Sequence, residues 1–384
     1  MIAATADIRL ARAALTALCE PANPKVAVLV ADHGPVAALH KLAGSAAPVR
    51  CALDQAAEHL GLATVLGGRL VCPEDAEWPS RVDDLAVLGQ SGDPAPAPVA
   101  LWVRGPGDLG QLCTRSVSVV GARAATSYGT HVATELAYGL GDRGWTVVSG
   151  GAYGIDGAAH RGALAAGAPT IAVLACGIDR PYPLGHQALF DRIAADGLLV
   201  SEWPPGSTPR RLRFLVRNRV IAALSAGTVV VEAASRSGAR MTARRAGDLC
   251  RPLMAVPGPV TSAMSVGAHQ LVRSGAATLV TSAAEILDCV GRIGDDLAEV
   301  PRQPATVRDE LSPELARVID GVPGSRARPA EEVAAAAGVG LRDVLRALPL
   351  LVAVGLVQET PAGFRLTEAG RVPTGLREAA PSVR

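Results

Sequence analysis

Between residues 116 and 280, short runs rich in valine, isoleucine and leucine alternate with stretches of helical periodicity, and no other feature restricts the fold as much. Strands are predicted at 116–120, 146–149, 170–175, 198–201, 228–232, 253–256 and 278–280. Helices are predicted between them at 131–140, 155–166, 184–194, 217–224, 239–249 and 268–274. Runs that are apolar at every position belong to strands buried on both faces, and strand–helix–strand repeats return each strand parallel to the last. The fold class is therefore α/β, an extended Rossmann-type parallel sheet. Ligands on such sheets bind beyond the carboxyl ends of the strands, so the turns at that edge are the ones to read for function.

The flanks follow other patterns, and 384 residues is too long for one small core. Residues 1–75 carry helical periodicity at 7–18, with shorter patterns at 26–30, 35–42 and 54–60, and read as a helical domain of the SAM-like or helix-hairpin-helix-like kind. Residues 76–115 are turn-rich and read as a connection, with a strand at 100–103 leading into the sheet of the 116–290 domain. A polar, proline-bearing linker is expected at 291–306. Three short helices at 313–319, 329–337 and 341–353, then two strands around a turn, predict a winged-helix-like domain over 307–370, followed by a tail at 371–384.

Charge is balanced, with 37 Lys and Arg against 36 Asp and Glu, so any electrostatic attraction must come from local clustering. The seven cysteines are scattered, with no paired spacing of the zinc or redox kind, which reads as reduced thiols in a cytoplasmic protein without a metal site. Arg9 and Arg12 interrupt the first apolar stretch, so no secretory signal is expected. The longest apolar run, 347–357, contains Pro349 and Gly355 and falls short of the roughly 20 residues that a membrane span needs.

Four turns at the carboxyl edge carry the chemistry. In the first, a valine-rich strand ends at Gly121, then come Arg123, Thr126 and a helix start, a geometry in which backbone N–H groups and the helix dipole favour an anion. The next glycine is Gly129, so the dinucleotide fingerprint is missing and no cofactor is expected; the turn instead suits the phosphates of a polymer. The second turn holds Ser149, Gly150, Gly151 and Gly154, with Asp156 and His160 four residues apart. Those two read either as an acid–base pair or as a helix-capping or first-turn carboxylate near a surface histidine.

The third turn runs from a proline-rich loop into Arg210, Arg211, Arg213, Phe214, Arg217, Asn218 and Arg219, donors suited to phosphate oxygens. The fourth places Ser237 and Gly238 at a helix start, with Thr242 one turn on. Between residues 204 and 262 there are ten arginines against only Glu232 and Asp248, a local excess that points to a polyanion. No phosphate-binding P-loop, hydrolase nucleophile elbow or zinc-peptidase motif is present, so no catalytic residue is assigned.

Taken together, these motifs resemble the DNA-processing DprA (Smf) family. They are Gly121, Arg123, Thr126, Tyr128 and Gly129; then Ser149, Gly150, Ala152, Asp156 and His160; then Arg217, Asn218 and Arg219; then Ser237, Gly238 and Thr242; and last Val256, Pro257 and Gly258. The resemblance is strong over 116–288 and looser in the flanks. Val216 stands where the family usually has proline, and Ala239, Arg240 and Met241 replace the common Ser-Leu-Ile.

The resemblance implies a homodimer that binds single-stranded DNA and loads the RecA recombinase on incoming strands in natural transformation. It places Arg123, Arg217, Asn218, Arg219, Ser237 and Gly238 in a phosphate pocket, to which the residue reading adds Gly121, Ser149, Gly150, Arg211, Arg213 and Thr242. Tyr128, Tyr153 and Phe214 are the expected base contacts, among only eleven aromatic residues in the chain. Two other classes fit the same elements: a nucleotide hydrolase of phosphoribohydrolase type using Glu232 or Asp156, and a winged-helix transcription regulator.

Overall fold

The computed structural model describes residues 2–88, 96–234, 238–291 and 311–371. The chain divides into two compact units, Met1–Ala298 and Glu299–Arg384. The first begins with three helices, α1 (Ile2–Leu18), α2 (Pro24–Ala43, kinked at Gly34 before Pro35) and α3 (Ala46–Val65). They lead into β1 (Gly68–Val71), α4 (Asp84–Leu88), β2 (Leu101–Arg104) and α5 (Leu109–Thr114).

The regular alternation follows: β3 (Ser116–Val120), α6 (Ser127–Asp142), β4 (Thr146–Ser149), α7 (Ile155–Ala165), β5 (Thr170–Val173), α8 (Gln187–Asp196) and β6 (Leu198–Ser201). It continues through α9 (Arg211–Leu224), β7 (Gly227–Val230), α10 (Ala239–Asp248), β8 (Leu253–Ala255), α11 (Val266–Arg273), β9 (Thr278–Leu279) and α12 (Ala283–Val290).

Among the described residues these strands form one sheet in the order β1-β2-β6-β5-β4-β3-β7-β8-β9. The segment from β6 to β9 is parallel throughout, and β1 and β2 add to it antiparallel. The chain enters the parallel segment at β3, builds outward to β6, then crosses back through α9 to start β7 on the other side of β3, with Val120 paired to Val230. Strand order therefore reverses between β3 and β7, which opens a crevice at their carboxyl ends.

Both faces of the sheet are covered, as uniformly apolar strands require. Val117, Val119, Val147 and Val229 pack beneath α6, α7 and α12, while Val120, Val148, Ile171 and Val230 pack against α9 and α10. Two serines face α9 from β3. Ser116 Oγ donates to Leu224 O (3.1 Å) and Ser118 Oγ to Ile221 O (2.8 Å), so these buried hydroxyls tie the crossover helix to the central strand.

The amino-terminal helices share a core with β1 and β2 around the fully buried Trp102, whose Nε1 donates to Thr16 Oγ1 at 3.2 Å. The strand expected at 100–103 is β2, which pairs with β6, whereas β1 lies in the stretch expected to be helical. Gly68, Arg69, Leu70 and Val71 form no β-branched run, and the tertiary partner β2 supplies the pairing instead.

The second unit contains α13 (Pro313–Gly321), α14 (Ala330–Ala337), α15 (Leu341–Ala353), an antiparallel hairpin of β10 (Val357–Thr360) and β11 (Gly363–Leu366), and α16 (Glu368–Arg371). Its own apolar core includes Ile319, Val333, Leu348 and Leu351. The expected linker at 291–306 and tail at 371–384 fall almost entirely outside the described residues. Among the described residues no helix is long and apolar enough to cross a membrane.

Candidate functional site

A cavity of about 370 Å³ lies in the crevice between β3 and β7. One wall is the turn after β3, with Gly121, Ala122 and Arg123; the others come from Ala152 and Asp156, from Phe214, Arg217 and Asn218 on α9, and from Gly238 and Thr242 at α10. The turn after β3 is locked from below by Glu232, which is 1 % exposed and accepts from Thr126 N (2.9 Å) and Thr126 Oγ1 (2.6 Å). Thr126 caps α6 by accepting from Gly129 N at 3.1 Å. The Glu232 carboxylate is committed to this brace, which leaves it poorly placed to serve as a hydrolytic acid.

Arg217 is the structural pivot of the site. It is 3 % exposed, and its Nη1 donates to Gly150 O at 2.7 Å and to Val173 O, gathering the ends of β4 and β5. A side chain on Gly150 would fall 2.4 Å from that guanidinium, so only glycine lets the arginine in. Burial lowers the Arg217 pKa to about 10, opposed by the nearby Asp156 carboxylate. Asp156 accepts from Gly150 N at 3.2 Å, and burial pushes its carboxyl up against the pull of Arg217. Its turn depends on Gly154, which has φ +77° and lies so close to Ala122 O that a Cβ would sit 2.2 Å away.

Above this base, Phe214 lies within reach of two cations. The Arg123 guanidinium is 4.8 Å from its ring centroid and that of Arg217 is 5.9 Å away. Arg123 itself is exposed. Asn218 Nδ2 donates to Gly238 O at 3.4 Å, linking α9 to α10 across the cavity.

Seven of the sequence-predicted residues are thus brought together: Gly121, Arg123, Phe214, Arg217, Asn218, Gly238 and Thr242. Gly150 supports the wall from behind. Five others are placed away from the cavity. Arg219 is 2 % exposed and makes a bidentate pair with Glu202 (2.7 and 2.8 Å), because a residue two positions from Arg217 on a helix emerges on the opposite side. Arg213 pairs with Glu20 (2.5 Å) and lies over Trp203 at 5.4 Å, tying α9 to the turn after α1. Ser149 is fully buried, its Oγ donating to Val119 O at 2.7 Å. Tyr128 and Tyr153 do not line the cavity: Tyr128 donates to Pro257 O at 2.6 Å, and Tyr153 packs edge-on to His186 at 4.8 Å.

Arg211 is exposed on the first turn of α9, outside the lining, and Ser237 lies outside the described residues. His160 shares a helix with Asp156 but is fully buried against β5, where Nδ1 meets Thr170 Oγ1 at 2.8 Å. Burial pushes its pKa down to about 3, as fits a core histidine rather than the base of an acid–base pair. Among the described residues no group of three His, Cys, Asp or Glu side chains is placed to hold a metal. Sequence reasoning missed the apolar lining from Ile221, Ala234 and Met264, which belongs to no motif, and from Ala239. It also missed Tyr182, whose ring stands 5.9 Å from Phe214.

The family model for DNA recombination-mediator protein A matches residues 69–291. The chain belongs to that family. The match begins at β1, so it includes the two antiparallel strands as well as the parallel sheet. The chain is 44 % identical over 380 residues to a DNA processing protein DprA of Mycobacterium tuberculosis H37Rv, covering 95 % of this chain and 96 % of that one. It is 36 % identical over 282 residues to protein Smf of Escherichia coli, covering 72 % and 74 % of the two chains. The crystal structure of DNA processing protein A from Streptococcus pneumoniae superposes with a TM-score of 0.61 at 29 % identity, covering 74 % of this chain and 98 % of that one.

Proposed function

We propose that the protein is a non-catalytic binder of single-stranded DNA, tolerant of sequence, which acts in the cytoplasm as a homodimeric recombination mediator and loads RecA on incoming strands in natural transformation. Its membership of the DprA family supports the mediator role, and the resemblance supplies RecA and the dimer as partners. We also read the second unit as a winged-helix-like module, with Arg342 and Arg346 on α15.

The observation that carries the DNA reading is the grouping of Phe214 with the guanidiniums of Arg123 and Arg217 at the switch-point cavity. The exposed Arg123 offers charge-assisted donors to a phosphate, and the half-buried Phe214 ring offers apolar surface to a base. Arg217 spends its Nη1 on backbone carbonyls, so it contributes positive potential and holds the wall in place. A cavity of about 370 Å³ accepts an unstacked nucleotide, whereas a base paired inside a duplex does not reach such a recess. Single strands are therefore favoured over duplexes.

Fluorescence anisotropy with an oligothymidylate tests this. Arg123→Ala is expected to weaken binding about tenfold, the value of one charge-assisted contact, without lowering the melting temperature. Three neutralised phosphates would make the parent's binding roughly twentyfold weaker between about 50 and 200 mM salt. Unchanged affinity in a folded Arg123→Ala protein, a flat salt response, or turnover of nucleoside monophosphates would overturn the proposal.

A further inference from the structure

A second groove, of about 480 Å³, runs between α7 and α8 and is lined by Arg161, Leu164, Gly185, His186, Leu189 and Arg192, among others. Its charged lining is entirely basic. Arg161 and Arg192 are both exposed; Arg192 pairs with Asp196, 3.8 Å away and itself exposed, a pairing that neutralises little in water. His186 is buried, its Nδ1 against Gly151 O at 3.0 Å. Recognition here therefore falls to solvent-facing guanidiniums, which suit a backbone gripped at successive points better than a small anion enclosed on all sides.

The segment between β5 and α8 joins this groove to the switch-point cavity. Tyr182, 44 % exposed, stands edge-on to the cavity residue Phe214. Three and four residues further on, Gly185 and His186 line the groove. From the other side, Tyr153 follows the cavity-lining Ala152, is 50 % exposed, and packs edge-on to His186. Two of the chain's four tyrosines thus present ring surface to solvent along the line between two basic recesses.

We propose that the α7–α8 groove continues the path of the bound strand. A single strand leaving the cavity crosses Tyr182 and Tyr153, whose rings stack on bases, and lays further phosphates against Arg161 and Arg192. This inference rests on the single-strand reading above and extends the contact beyond the cavity to further nucleotides of the same strand.

The experiment compares oligothymidylates of about 5 and 15 nucleotides on the full chain. In the parent, the longer one is expected to bind more tightly than its extra registers alone explain. Arg161→Glu with Arg192→Glu, both at exposed positions, is expected to remove that gain and leave the short oligonucleotide's affinity unchanged. With Arg161→Gln and Arg192→Gln, the long oligonucleotide's salt slope should fall by about 1.4, equivalent to roughly sevenfold less salt-induced weakening over a fourfold salt range. Tyr153→Ala is expected to cost the long oligonucleotide about fivefold or more. Equal effects on both lengths, or none on either, would overturn the groove while leaving the cavity reading intact. A parent that binds neither length would overturn both.

Discussion

Arg217 and Arg219 stand two positions apart on α9, and a helix turns about 200° over that distance, so they serve different sides of it. Arg217 faces the carboxyl edge and holds Gly150 and Val173; Arg219 meets Glu202 on the other side, both side chains out of water. The Arg-Asn-Arg run looks like one phosphate clamp in sequence, yet helical periodicity already separates its two cations once 211–224 is known to be a helix. The expected start at 217 came six residues late, because Arg211, Leu212 and Arg213 look like a charged approach loop. Removing one member of a buried pair strands the other, so Arg219→Ala should destabilise the protein by about 3–5 kcal/mol. Replacing both members, as Arg219→Met with Glu202→Leu, should recover most of that. Chemical denaturation checks both; a fully stable Arg219→Ala that fails to bind DNA would return Arg219 to the phosphate site.

At the scale of the element, α7 shows how one helix serves site and core together. Its first turn brings Asp156 to the Gly150 turn, and one turn later His160 is sealed against Thr170 of β5. The folded protein keeps that imidazole neutral down to about pH 3, whereas a solvated histidine takes up its proton near 6.5. The unfolded chain therefore binds the proton first as pH falls. This contribution is complete above about pH 6.5 and is lost on the way to pH 3, at roughly 1.4 kcal/mol per pH unit. Denaturation of the parent and of His160→Gln across that window should give a shallower pH slope in the variant; identical slopes would mean the ring is protonated in the fold. The four-residue spacing of Asp156 and His160 was legible in the sequence. Which of them faced the cavity was not, because both lie on one helix face and depth along α7 decides between cavity and sheet.

For the whole molecule, the boundary that matters lies before β1. A fragment starting at Ser116 keeps every parallel strand but strips β2 from β6, leaving the backbone of Leu199, Val200 and Ser201 as an unpaired edge and removing the core around Trp102. Such a fragment, 116–291, is expected to melt well below 1–291 and to aggregate on size-exclusion chromatography; a monodisperse fragment of equal stability would show that the amino-terminal helices and the sheet fold independently. The sequence alone determined the parallel sheet, since only strands buried on both faces tolerate such unbroken runs of Val, Ile and Leu, and it determined which turns meet at the carboxyl edge. Tertiary structure decided which arginines stay available to a ligand. A guanidinium reads the same in sequence whether its partner is water, a carbonyl or a distant carboxylate, and Glu20 and Glu202 reach Arg213 and Arg219 only once the sheet has closed over its crossover helix.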